Sequence, residues 1–314
     1  MAVRRSTPVL AVLALVAGAV AGCGAPESSG QPQVVASFDP LQYVAERVAG
    51  EHAEVSNLTA RGVEPHDLEL SPRQAARISS ASVVFYQQGL QPAVGEAISN
   101  DRPEHVVDAA DVVDLHQAEE HREDAGADSG EDSGDDGHGH DGADPHFWLD
   151  PTLLAQAAEA FTETMVEADA EHASAFRADN ETLQAELEQL DESLQAGLAD
   201  CRTRTIVVSH DAFSYLGERY DLDVHAIAGL SPGAEPSPRH LAELADLIRT
   251  DKITTAFSER LASPKLADTL AADLDITTAV LDPIEGLTSD AADDDYLSLM
   301  RENLAAIQKA NGCG

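Results

Sequence analysis

From Thr152 to Ala196 the chain contains neither proline nor glycine, and this stretch limits the architecture more than any other. Asp150 is placed to cap a helix and Pro151 to open it. A helix over about 151–176 would run roughly 40 Å at 1.5 Å per residue, and a second is expected over about 179–199. On either side the pattern changes to short β-branched runs alternating with helix starts. Residues 33–38, 53–60, 82–86 and 104–108 read as strands, separated by helices over 39–49, 71–80 and 90–98. Beyond the long stretch, strands at 204–209, 222–227, 253–257 and 276–281 alternate with helices over 211–219, 238–249 and 264–272, and an amphipathic helix over 293–310 follows. Alternation of this kind builds parallel sheet. The predicted fold class is α/β: two α/β lobes with mainly parallel sheets, joined by a long rigid helix. The expected boundaries are 33–150 for the first lobe, 151–178 for the linking helix and 179–314 for the second lobe.

The first residues concern location. Arg4 and Arg5 precede an apolar run over 8–21 that is short for a bilayer span and suits the core of a signal peptide. The run ends in Val20-Ala21-Gly22-Cys23, which resembles a bacterial lipobox. The expectation is a signal peptide over 1–22, lipidation of Cys23, a flexible tether over 23–32, and anchorage at the outer face of the cytoplasmic membrane. An ordinary secretory signal is the alternative. An exported chain permits a disulfide. A bond between Cys201 and Cys313 would tie the end of the chain to the second half; free thiols or a thiolate metal site are the alternatives.

Charge narrows the ligand class. Against 57 Asp and Glu stand 19 Lys and Arg, a net charge of −38. Phosphate binding needs basic surface, so nucleic acid is not an expected partner. A cationic ligand suits this field; the alternative is that the acidity only keeps an exported chain soluble. Residues 117–144 are acidic, glycine-rich and of low complexity, with His121, His138 and His140 among them. They read as a flexible insert unable to bury a core of its own.

In open α/β sheets, ligands bind beyond the carboxyl ends of the strands. Four metal-competent side chains stand at such places or just before a helix. His66 follows the strand at 53–60, His146 precedes Asp150-Pro151, His210 follows 204–209 and Asp282 follows 276–281. Two come from each half, so a site using all four would lie in the cleft between lobes. Three imidazoles and one carboxylate suit four-coordinate zinc. Asp282 has another reading, as the cap of a turn at Pro283. Each histidine alone reads equally as a packed or surface side chain.

The segments GVEPHDLELSP (62–72), DPHFWLDP (144–151), IVVSHDAFSYLGERYDL (206–222), GLSPGAEPSP (229–238), FSERLASPKLADTLA (257–271) and LDPIEGL (281–287) occur in this order. Together they resemble the solute-binding lipoproteins of zinc and manganese ABC importers, the cluster A-I group, over roughly 33–313. The resemblance implies two lobes joined by a rigid helix, with metal buried between them. It implies His66, His146, His210 and Asp282 as ligands, with Glu64 in reserve. Histidine at position 210 places the chain on the zinc branch, with Zn2+ as transported ligand. The acidic segment matches, in place and composition, a loop of the zinc branch; it either gathers zinc weakly through His121, His138 and His140 or serves as a solubilising insert. The implied partner is a cognate ABC permease, and the expected state is a monomer with no catalytic role. Phe147, Trp148, Phe213 and Tyr215 are either shields of the cleft or packing aromatics; Glu235 and Glu259 either orient histidines or hold loops. Manganese cargo, surface adhesion and zinc-dependent hydrolysis are the competing readings, the last without an H-E-x-x-H segment to support it.

Overall fold

Helices α1, α2, α3, α4 and α7 of the computed structural model, whose ranges follow, each open on a proline in the first turn. There the missing N–H costs no hydrogen bond. The structure describes residues 30–116, 143–288 and 294–314. The signal peptide, Cys23 and the loop residues His121, His138 and His140 lie outside these.

The first lobe runs β1 (Gln33–Ala36), α1 (Asp39–Ala49), β2 (Glu54–Asn57), α2 (Pro72–Ser80), β3 (Val83–Tyr86), α3 (Pro92–Asp101) and β4 (Val106–Asp108). Its strands are all parallel, in the order β2-β1-β3-β4. The second lobe runs β5 (Thr205–Val208), α6 (Ser214–Tyr220), β6 (Asp223–Ala226), α7 (Pro238–Asp251), β7 (Thr255–Ser258), α8 (Lys265–Leu274), β8 (Thr277–Val280) and α9 (Tyr296–Asn311). Its order, β6-β5-β7-β8, again all parallel, repeats the topology of the first. The two α/β lobes expected from the alternation are therefore present, with strands of three or four residues.

The period of two along each strand divides the apolar residues between faces. Val34, Ala36, Val83, Phe85, Ile206 and Val208 point into one core shared by both lobes. Val35 and Val84 face a smaller cluster with Ile78, Val94 and Ile98 on α2 and α3. Val207 faces its counterpart with Leu244, Ile248 and Leu270 on α7 and α8. The central strands β3, β5 and β7 are buried throughout, as strands covered on both sides must be.

Between the lobes lie α4 (Pro151–Ala168) and α5 (Ala173–Leu198). Asp150 caps α4 by accepting from Thr152 N–H at 2.7 Å. The expected break at 176–179 falls instead at 169–172. Asp169 closes α4 through its own N–H to Met165, and its carboxylate holds His172 Nδ1 at 2.7 Å where α5 begins. His172 thus opens the second helix instead of lying within the first. No glycine or proline marks this turn, which is why the sequence pattern places it late. α5, with 26 residues, is about 39 Å long. It packs on α1, α4 and α9, so it touches helices of both lobes.

Cys201 and Cys313 form the expected disulfide, joining the segment after α5 to the end of α9 across 112 residues of sequence. Among the described residues no helix is long and apolar enough to cross a membrane. Replacing both cysteines with serine should lower stability by about 2–5 kcal/mol, because a long closed loop is released in the unfolded chain. Denaturant unfolding of the oxidised protein and the double variant measures this.

Candidate metal centre

Four side chains meet where the carboxyl ends of the two sheets face each other. His66 comes from the loop after β2, and His146 from the segment between β4 and α4. His210 lies two residues after β5, and Glu285 lies in the loop after β8. Their candidate ligand atoms all lie within 4.8 Å of one another. Glu285 Oε1 is 3.0 Å from His146 Nε2, 3.1 Å from His210 Nε2 and 3.4 Å from His66 Nε2. His66 Nε2 and His146 Nε2 are 3.3 Å apart. A tetrahedral zinc with bonds of about 2.0–2.1 Å needs ligand edges of about 3.3–3.4 Å, the bond length multiplied by roughly 1.63. These four separations are therefore already close to those of a tetrahedral cage. His146, His210 and Glu285 are fully buried, whereas the His66 side chain keeps 12 % of its exposure.

The far side of two imidazoles is fixed. His146 Nδ1 lies 2.7 Å from Asp144, which also accepts from Ser214 Oγ and from the His146 N–H at 3.0 Å. His210 Nδ1 lies 2.6 Å from Glu259, which also accepts from Ser209 Oγ. A carboxylate on Nδ1 keeps the proton there when the ring is neutral and turns the Nε2 lone pair toward the centre. Glu259 is therefore an orienting acceptor, one of the two roles open to it from sequence. Glu235 is exposed and Trp148 fully buried. Trp148 donates from Nε1 to Pro283 O at 2.7 Å, and Phe147 and Phe213 are core residues. Tyr215 O–H donates to Asp144 O at 2.8 Å.

Asp282 does not join the cluster, contrary to expectation. Its Oδ1 accepts from Ile284 N–H at 2.8 Å and its Oδ2 pairs with Arg260 Nε at 2.9 Å. Its backbone N–H and carbonyl are both held by the Asn303 amide, at 2.8 and 2.6 Å. Asp282 caps the turn through Pro283, the alternative the sequence left open, and that turn aims the next carboxylate, Glu285, at the histidines. Ile284 takes a left-handed φ of 58° to complete it. The sequence signal for Glu285 is an acid within three residues of the Asp-Pro turn former. Glu64 is also outside the four. Burial and the charge of Glu285 push its carboxyl up to about 8.

Known proteins resemble this chain over most of its length. The family profile described as the zinc-uptake complex component A, periplasmic, matches residues 34–310. The chain belongs to the ZnuA family. It is 31 % identical over 289 residues to the zinc-binding lipoprotein AdcA of Streptococcus pneumoniae, covering 90 % of this chain and 56 % of that protein. The chain thus spans about half the length of the AdcA relatives it matches. It is 30 % identical over 301 residues to the high-affinity zinc uptake system protein ZnuA of Bacillus subtilis, covering 92 % of each. The Zn(II)-bound ZnuA-like domain of the pneumococcal AdcA superposes with a TM-score of 0.73 at 28 % identity, over 90 % of this chain and 99 % of that one.

Without metal the centre is held together by protons. Burial opposes protonation of His146, but Asp144 and then Glu285 override it and push the ring up to about 9. His210 is likewise opposed by burial and raised, by Glu259 and Glu285, to about 10. Burial would raise Glu285, yet hydrogen bonds from His146, His210 and His66 hold it well below the usual carboxylate range. A cation needs neutral imidazoles, so its binding at pH 7 should expel about two protons, one from each of these rings. Calorimetry in buffers of different ionisation enthalpy reads that number, and affinity should climb as pH rises toward 9. Asp144→Asn and Glu259→Gln should each weaken metal binding about 10–100-fold, measured by competition with a chelator.

Proposed function

We propose that this chain captures Zn2+ outside the cytoplasmic membrane and delivers it to an ABC permease, with no chemical step of its own. The observation that carries the reading is the buried cage of three imidazoles and one carboxylate oxygen, four of whose separations are near those around a tetrahedral ion. His66, His146, His210 and Glu285 are the proposed ligands. Three imidazoles favour zinc over manganese, which takes more oxygen. Four protein donors leave no open position for an activated water, which argues against hydrolysis. The names of the AdcA and ZnuA relatives, a zinc-binding lipoprotein and a zinc uptake protein, support the cargo and the setting. Lipidation at Cys23 and weak zinc collection by His121, His138 and His140 belong to the same proposal, as do the permease partner and the monomeric state. Asp144 N–H, beside the centre, donates to His116 O at 2.8 Å.

Competitive titration of the mature protein tests the site. One tight zinc per chain is expected. His146→Ala, His210→Ala and Glu285→Ala should weaken it by more than the roughly 100-fold upper end of outer-shell changes. Asp282→Ala should act indirectly and less. Tight binding that survives in Glu285→Ala but is lost in Asp282→Ala would reverse the assignment. Deleting 119–143 retains Asp144 and should leave the tight site intact.

A further inference from the structure

Glu285 belongs to the second lobe by chain, yet the residues after it are gripped by the first. Leu287 N–H donates to the Asp39 carboxylate at 3.2 Å, and Leu287 O accepts from Gly62 N–H at 2.9 Å. Asp39 lies in the first turn of α1, and Gly62 lies four residues before His66. Gly286 passes through the slot between these groups. A Cβ there would stand 3.0 Å from Leu261 Cδ1, 3.4 Å from Val63 O and 3.5 Å from Asp39 Oδ2. The strap 282–287 is therefore fastened at Asp282 to Arg260 and Asn303 of the second lobe, and at Leu287 to the first, with Glu285 between.

We infer that Asp39 is a positioning residue for metal retention. It is not one of the four candidate ligands. Through the Leu287 amide it clasps the strap that carries Glu285, so the metal leaves only after this clasp opens. The inference rests on the zinc reading above. A carboxylate accepting from a backbone N–H makes a charge-assisted bond, roughly twice as strong as a neutral one. Ile284 and Leu287 also line a cavity of ≈ 250 Å³ with Asp39, Arg61, Asp295 and Tyr296.

The test uses the mature chain with Asp39→Ala and Asp39→Asn, the second retaining an acceptor oxygen. Zinc release into excess chelator is followed by stopped flow, and association by rapid mixing. Asp39→Ala should release zinc about tenfold faster with association within about twofold of wild type, as expected for loss of one hydrogen bond to a charged group. Asp39→Asn should recover most of the slow release. In metal-free protein, hydrogen exchange of the 283–288 peptide should accelerate in Asp39→Ala while exchange in β5 and β7 stays unchanged. Unchanged release in Asp39→Ala, or faster release without faster exchange at 283–288, overturns the inference. If wild-type protein binds no zinc, the zinc reading fails, and the exchange experiment still decides whether the clasp exists.

Discussion

A single carboxylate oxygen, Glu285 Oε1, lies within 3.4 Å of three imidazole nitrogens in a region almost closed to water. Charges buried in this way are tolerated only when each is paired and hydrogen-bonded. Much of the surrounding structure supplies those pairings. Asp144 and Glu259 take the far nitrogens of His146 and His210, and Ser214 and Ser209 in turn hold the two acids. With the His146 and His210 rings pushed up and the Glu285 carboxyl held down, protonated imidazoles and a carboxylate offset one another inside this cluster.

The cage draws two side chains from each lobe, which makes its geometry a statement about how the lobes sit. That relation is held by helices and by hydrogen bonds across the seam. α5 lies against α1 of one lobe and α9 of the other. Trp148 N–H reaches Pro283, Tyr296 O–H reaches Trp148 O at 2.6 Å, and Tyr215 O–H reaches Asp144 O. Of the aromatics read from sequence as shields or packing, all four lie in the shared core, and the polar atoms of Trp148 and Tyr215 also fasten the lobes. His146 and His210 are sealed in behind their orienting acids, whereas His66 is the ligand candidate that keeps some exposure. Access to the centre is thus most open on its side.

The elements themselves were legible because their signals are local. Ser-Pro and Asp-Pro starts, β-branched runs and alternation gave both lobes, and helices such as 39–49 agree residue for residue with the pattern. The turn at 169–172 was not legible, because Asp169 and His172 make it by pairing with each other and neither breaks a helix by itself.

The sequence by itself determined the two-lobed α/β class, the three histidines in loops after strands or before a helix, and the family, since each depends on residue type and order along the chain. Only the tertiary structure decided the fourth member of the cage. Asp282 and Glu285 lie three residues apart in one loop, and both are acids after a strand. Arg260 and Asn303, distant in sequence, claim Asp282. The left-handed turn at Ile284 and the grip on Leu287 then carry Glu285 inward. Which of two neighbouring carboxylates faces the three histidines is set by partners that only folding brings near.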